Sequence, residues 1–208
     1  MANNARRVFI SFRYSDGIEY KKELEERFDS STKVINCSED KDRSVLSDAS
    51  IRQYLYDKLA STSVTIILLT PLALDYRRNW QGKIDDWTYD EVRYSLEDRA
   101  NNRTNGLVAV CTPGVWDMVA RKNGCMECEK ACQITTIRKR EHLFRKNMFN
   151  VLPEFKQSNC PGIYNRLDDS YCTLVDWADF CNNFGFYIDK ASEKRDRVNE
   201  FKLVKRLG

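Results

Sequence analysis

Val64-Thr65-Ile66-Ile67-Leu68-Leu69-Thr70-Pro71 is the stretch on which the fold turns. Val64 to Ile67 are all β-branched, two leucines follow, and proline closes the run. A strand with no polar face belongs inside a parallel sheet covered by helices on both sides. Upstream, Arg7-Val8-Phe9-Ile10-Ser11-Phe12-Arg13 is a first β-type run that breaks into the polar turn Tyr14-Ser15-Asp16-Gly17. The spacing then predicts an amphipathic helix over 17–28, with Ile18, Leu24 and Phe28 inward, and a short strand at Val34-Ile35-Asn36-Cys37. A charged loop, Ser38 to Ser47, leads to a helix over 48–60 carrying Ile51, Leu55 and Leu59 at helical spacing. Downstream, a polar loop from Asp75 to Asp86 enters the helix of Glu91, and Leu107-Val108-Ala109-Val110-Cys111 is a fourth strand entered through Asn105-Gly106.

Strands alternating with helices predict an α/β fold with a parallel sheet. Right-handed crossovers bring the loops after the strands to one edge, near Phe12, Cys37 and Thr70. The expected organisation is a single domain over 1–208, with a core of about 6–111 and a less regular elaboration over 112–208. That elaboration holds a cysteine-rich patch, the run Leu143 to Leu152 and an expected C-terminal helix near Leu174 to Phe180.

Apolar residues make up 42% and charged residues 31% of the 208, the composition of a soluble globular domain. A net charge of +3 is too small to argue for nucleic acid as a partner. Arg138-Lys139-Arg140 and the tail from Lys202 to Arg206 read as solvated faces. No apolar run approaches a membrane span, and Met1 to Arg7 lacks the apolar core of a signal peptide. A cytoplasmic protein with mostly reduced thiols is therefore expected, without a membrane partner.

Trp87-Thr88-Tyr89-Asp90-Glu91 carries the most chemistry. Trp87, Glu91 and Tyr94 share one helical stripe, whereas Val92, Ser95 and Leu96 point elsewhere. The bland alternative is a capping box, with Thr88 as N-cap and Glu91 at the third helical position, or Asp85 or Asp86 as the cap. The functional alternative is N-glycosidic chemistry. In NAD+ the nicotinamide is already cationic and leaves without a general acid. One carboxylate then suffices to stabilise an oxocarbenium-like ribose and hold its hydroxyls. Trp87 is placed to stack on a nicotinamide or adenine ring.

The loop from Ser11 to Gly17 offers hydroxyls, Arg13, Tyr14 and a helix start for a phosphate or ribose; the plain alternative has Asp16 as N-cap. No glycine-rich dinucleotide fingerprint and no P-loop is present. Cys125, Cys128 and Cys132 have the spacing of a structural zinc knuckle, with Cys111, Cys160 or His142 as a fourth ligand; coincidental thiols are the alternative. Cys37, Cys172 and Cys181 read as core residues, and His142 alone supports no nucleophilic triad.

The first strand, the third strand Ser63 to Thr70, and Trp87-x-x-x-Glu91-Val92 with Tyr94-Ser95-Leu96 together resemble Toll/interleukin-1 receptor (TIR) domains. The likeness is to bacterial TIR-like proteins, including the TIR component of Thoeris anti-phage defence systems, and covers about residues 6–111. What the resemblance implies is a flavodoxin-like sheet, NAD+ as substrate, and a nucleotide second messenger read by a downstream effector protein. Glu91 is then the catalytic residue, with Ser11, Phe12, Arg13, Asp48, Trp87 and Tyr94 binding NAD+. A homo-oligomer is a further expectation. A non-catalytic interaction module is the rival from another class. The charged loop Ser38-Glu39-Asp40-Lys41-Asp42-Arg43 departs from the family, since it lacks the proline-containing motif of the loop that gates the site and mediates assembly. The cysteine-rich segment is also absent from most TIR domains.

Overall fold

The computed structural model of the chain describes residues 5–38, 48–98, 103–124, 133–137, 142–158, 160 and 162–207. Five parallel strands form the central sheet: β1 (Arg6–Ser11), β2 (Val34–Asn36), β3 (Val64–Leu69), β4 (Gly106–Cys111) and, after the hairpin named below, β7 (Cys172–Asp176). Their order across the sheet is β2-β1-β3-β4-β7, and every neighbouring pair is parallel. From β1 the chain steps outward to β2, then returns past β1 to β3 and continues the other way. The connections therefore diverge between β1 and β3, and the carboxyl ends of those two strands are where open α/β sheets place a ligand crevice.

The side-chain period of two divides each central strand between two cores. Val64, Ile66 and Leu68 of β3, with Val108 and Val110 of β4, join Leu24 and Phe28 of α1 (Tyr14–Asp29) and Phe180 and Ile188 of α6 (Trp177–Asp196). Ile67 and Leu69, with Leu107, Ala109 and Cys111, face Val92 and Leu96 of α3 (Trp87–Ser95) and Leu143 and Phe144 of α5 (Leu143–Lys146). A smaller cluster of Phe9, Leu55, Leu59 and Tyr94 seals α2 (Asp48–Ala60) against α3. All six residues of β3 are buried, which is what a fully apolar strand between two helical layers demands.

The expected C-terminal helix starting near Leu174 is corrected: Leu174 lies in β7, which pairs with β4 as the fifth strand, and the helix begins at Trp177. The sheet core thus extends beyond residue 111. Asp176 ends the strand and caps the helix in one step, its side chain accepting from Ala178 N–H at 3.0 Å. Between β4 and β7 lie the short helix α4 (Trp116–Val119), α5, and an antiparallel hairpin of β5 (Ala120–Gly124) and β6 (Gln133–Ile137). Gly106 lets α6 reach the sheet: a Cβ there would stand 2.0 Å from the carbonyl oxygen of Ala191. No helix among the described residues is long and apolar enough to cross a membrane.

Candidate functional site

β1 ends at Ser11, fully buried, and Phe12 and Arg13 follow at the divergence point of the sheet. α1 begins at Tyr14. Asp16 is not the expected N-cap: it lies in the first helical turn and turns across to the segment just after β3, accepting from Thr70 Oγ1 at 2.8 Å and Leu72 N at 2.9 Å. A carboxylate suits the positive end of α1, and here it also ties the exits of β1 and β3 together.

α3 arrives over the same corner. Its cap is Asp86, not Thr88; the side chain of Asp86 accepts from Thr88 N at 3.0 Å. The capping-box alternative for Glu91 is therefore corrected, because Glu91 sits at the fifth helical position and back-bonds to no cap. Asp86 Oδ2 also accepts from Arg77 N at 2.8 Å and forms an ion pair with Arg13 Nη2 at 2.5 Å. Both members of that pair are buried. Burial by itself raises the carboxyl of Asp86, but hydrogen bonds from Thr88, Arg77 and Arg13 outweigh it and hold Asp86 below its ordinary range.

Glu91 has no such support. Its Oε2 is shut away from solvent and has no hydrogen-bond partner among the described residues. Burial pushes its carboxyl up to about 8, Ser11 opposes the shift, and Asp86 and Asp90 add to it. Ser11 Oγ faces Glu91 without completing a hydrogen bond of ordinary geometry, and it too is buried without a partner among the described residues. Arg13 Nε is a third such atom. One acceptor, one hydroxyl and one N–H donor, each buried without a partner among the described residues, therefore come from α3, the end of β1 and the turn after it. Buried polar groups of this kind carry a penalty that a polar ligand removes.

Two other expected ligand-binding residues sit in packing. Tyr94 is buried in the α2–α3 cluster, edge-on to Tyr56 at 5.4 Å, with the Arg93 guanidinium over its ring at 4.3 Å. Trp87 packs against that cluster and carries the Arg52 guanidinium over its ring at 5.5 Å. Phe12 is partly buried against the α1–α6 core, with Lys21 Nζ 5.9 Å from its ring centre. Asp48 opens α2, and its side chain lies outside what the structure describes.

Cys125, Cys128 and Cys132 all lie outside the described residues, so the knuckle is neither built nor dismantled by the fold. Among the described residues no group of three or more His, Cys, Asp or Glu is arranged to hold a metal ion. Two of the three candidate fourth ligands are already committed. Cys111 is buried in β4 with its thiol pushed up to about 12, chiefly by desolvation. His142 accepts from Phe144 N at 3.3 Å through Nδ1, which Tyr76 Oη also meets at 2.9 Å, and the two rings stack at 4.1 Å. Burial holds His142 down to about 3, with Asp86 and the Ala73 carbonyl opposing and Arg13 reinforcing the effect.

Asp86 was legible only as a helix cap; its second role, locking Arg13, joins residues 73 positions apart and has no local signal in the sequence. Tyr76 was likewise invisible: its hydroxyl takes Leu143 N at 3.3 Å and so fastens the loop before α3 to the elaboration. The hairpin-like tip of that loop holds Trp80 at 91% exposure. No protein-family model matches the chain.

Proposed function

We propose that this chain is a TIR-type NAD+ glycohydrolase or cyclase that breaks the nicotinamide–ribose bond and makes an ADP-ribose-derived, cyclic signal in anti-phage defence, sensed by a downstream effector protein. The observation that carries this reading is Glu91 Oε2, buried and unpartnered among the described residues, opposite Ser11 at the sheet's divergence point. The strand order β2-β1-β3-β4-β7 supports a flavodoxin-like assignment, in which ligands sit at this crevice.

The chemistry follows from those atoms. The C1′–N bond breaks with its electron pair going to the pyridinium nitrogen, so neutral nicotinamide leaves and the ribose carries the positive charge. Ionised Glu91 stabilises that charge at short range in a poorly solvated corner, where a fixed carboxylate is worth far more than in water. Ribose hydroxyls donate to Glu91, while Ser11 Oγ and Arg13 Nε supply contacts for the remaining hydroxyl or phosphate oxygens. A new bond to C1′ then forms from water, giving ADP-ribose, or from a nucleophile on the same ADP-ribose, giving a cyclic product; either nucleophile loses one proton. Exclusion of water favours the cyclic outcome.

The test is nicotinamide release from NAD+ by purified protein, with products identified by mass spectrometry, beside Glu91→Gln. The expected result is release that falls by about 100-fold or more in the variant, the scale of losing one preorganised electrostatic group. A second reading, a non-catalytic TIR-like interaction module, is favoured by Trp80 at 91% exposure and Tyr14 at 65%. It predicts no nicotinamide release from either protein, including in lysate of infected cells, and loss of partner capture by Trp80→Ala. A structural zinc ion at Cys125, Cys128 and Cys132 remains part of the proposal; elemental analysis giving a zinc-to-protein ratio near zero would remove it.

A further inference from the structure

Tyr76 is buried between two exposed residues, Asp75 and Arg77, whose backbones both reach the Arg13–Asp86 pair. On one side the Asp75 carbonyl accepts from Arg13 Nη2 at 3.4 Å; on the other, Arg77 N donates to Asp86 Oδ2 at 2.8 Å. Arg13 Nη2 is also the nitrogen paired with Asp86 Oδ2 at 2.5 Å. Both printed contacts of the guanidinium thus use one nitrogen, and Nε is the buried atom left without a partner among the described residues. The anchor of residues 75–77 lies 66 positions downstream. Tyr76 Oη meets His142 Nδ1 at 2.9 Å and accepts from Leu143 N at 3.3 Å, and the rings of Tyr76 and His142 stack at 4.1 Å. The Tyr76 ring also meets Tyr89 of α3 edge-on at 5.1 Å.

We propose that Tyr76 and His142 are positioning residues: through Tyr76, the start of α5 fixes the orientation in which Arg13 offers Nε to a ligand of the candidate site. The inference rests on the proposed function only in taking Arg13 Nε as a ligand contact. The link from His142 to Arg13 does not depend on which ligand that is.

The direction of each bond follows from the available donors. His142 Nδ1 accepts from Phe144 N at 3.3 Å as the cap of α5, so it carries no proton, and the Tyr76 hydroxyl donates to it. The same hydroxyl oxygen then takes Leu143 N–H. A hydrogen bond to the Ala73 carbonyl engages the ring's other nitrogen. One buried imidazole therefore grips the segment between β3 and α3 at two points, Ala73 in the turn Leu72–Leu74 and Tyr76 after it. Leu72 is in turn tied to Asp16 of α1 at 2.9 Å. A long, many-torsioned side chain such as Arg13 takes its direction from what it binds. With Asp86 as sole partner the guanidinium can pivot about one bond; the Asp75 carbonyl supplies the second point that stops it. Thr88 steadies Asp86 from α3, but the Asp75 carbonyl is placed by the segment that Tyr76 anchors. A buried hydrogen bond lost there is not replaced by water, so the segment shifts instead. The elaboration after β4 thus completes the site from outside the sheet.

The readout that tests this is the Arg13 Nε–Hε signal in nitrogen–proton correlation NMR of the intact chain, assigned by its absence in Arg13→Lys. Tyr76→Phe keeps the ring and removes only the hydroxyl, and it is expected to shift that signal. His142→Leu should shift it too, whereas His142→Asn, whose amide oxygen can accept where Nδ1 does, should restore it. Asn147→Ala is the control for stability alone. Asn147 Nδ2 donates to the Leu143 carbonyl at 2.8 Å and the Val204 carbonyl at 2.9 Å, so its loss loosens the same helix without breaking a bond to residues 75–77. That variant is expected to melt at a lower temperature and leave the Arg13 signal in place. A signal unmoved in Tyr76→Phe, or moved as far by Asn147→Ala, would overturn the proposal. With NAD+, Tyr76→Phe is expected to raise KM for nicotinamide release about tenfold and leave kcat nearly unchanged, the mark of a lost ground-state contact. A moved signal with an unchanged KM would also overturn it. The two readings fail separately. A moved Arg13 signal in a chain that releases no nicotinamide keeps the positioning and sinks the enzyme; nicotinamide release with an unmoved signal does the reverse.

Discussion

The two edges of the central sheet bury polar side chains in opposite ways. At the amino edge, Asn105 Nδ2 donates to Thr62 Oγ1 at 2.9 Å and to Thr65 Oγ1 and the Leu59 carbonyl at 3.3 Å each. Its own carbonyl accepts from Tyr171 Oη at 2.9 Å, and Thr65 meets Ser95 at 2.7 Å. Close by, Lys194 places Nζ 2.6 Å from both the Ser170 carbonyl and Thr173 Oγ1. At the carboxyl edge, Ser11, Arg13 and Glu91 each keep a buried atom unused among the described residues. A fully connected network fixes the packing of α2, α3 and β7, whereas an unfinished one stores a binding preference. The contrast predicts that substitutions at one edge cost stability and at the other cost function.

The largest expected effect breaks the contrast at its one exception. Arg13 belongs to the carboxyl edge but is structural through Asp86, so Arg13→Ala leaves a buried, uncompensated carboxylate. It is expected to cost about 3–5 kcal/mol in urea unfolding. Replacing the pair together, Arg13→Met with Asp86→Leu, should recover much of that loss. A double variant as unstable as the single one would show that the backbone N–H groups of Arg77 and Thr88, not the guanidinium, are what Asp86 serves.

Next comes Glu91→Gln, whose expected loss of about 100-fold in nicotinamide release corresponds to about 2.7 kcal/mol of transition-state stabilisation. Its melting temperature should hold or rise, because an amide is cheaper to bury than an unpaired carboxyl. Asn105→Ala at the other edge should behave inversely. It strands Thr62, Thr65 and their neighbours and costs about 1–3 kcal/mol of stability with activity per folded molecule unchanged. If Asn105→Ala reduced turnover while sparing stability, the division between edges would be wrong.

How far this was legible in the sequence depended on the range of the interaction. β3 and α2 match their expected bounds, Val64–Leu69 and Asp48–Ala60, because apolar period and a closing turn signal are local. α3's two stripes also follow from spacing alone: Val92 and Leu96 join one core, Tyr94 and Trp87 the other. β7 was misread because Leu174-Val175-Asp176-Trp177 passes from strand to helix with no glycine or proline between, so the two periods blur into one apolar run. Thr88 and Asp86 are both good caps by residue type. Asp86 wins because the same carboxylate also takes Arg77 N–H and Arg13, partners that only the folded chain brings near. The unused atoms at the site were legible as residue types, Ser11, Arg13 and Glu91, but their being buried without partners is a property of three dimensions.

The smallest effect is a slope, and it isolates Glu91 from every other shifted group. A carboxyl raised to about 8 from 4.5 keeps a proton in the folded chain that the unfolded chain releases. Stability therefore falls as pH rises between those values, by at most about 1.4 kcal/mol per pH unit. His142 works in the opposite direction and lower down. Held to about 3 from 6.5, it stays neutral when folded while the unfolded imidazole gains a proton, so its contribution to stability is lost as pH falls below 6.5. Lys194, lowered to about 8 from 10.5, acts only above its folded value, where stability rises with pH. Between about pH 6.5 and about pH 8 the slope is expected to be negative and to belong to Glu91. Urea unfolding across that window should show it in the unmodified chain and a flat line in Glu91→Gln. A slope that persists in the variant would assign the titration elsewhere at the corner. A flat line in both would mean that Glu91 is already ionised in the free protein, and the carboxyl edge would then be as well compensated as the amino edge.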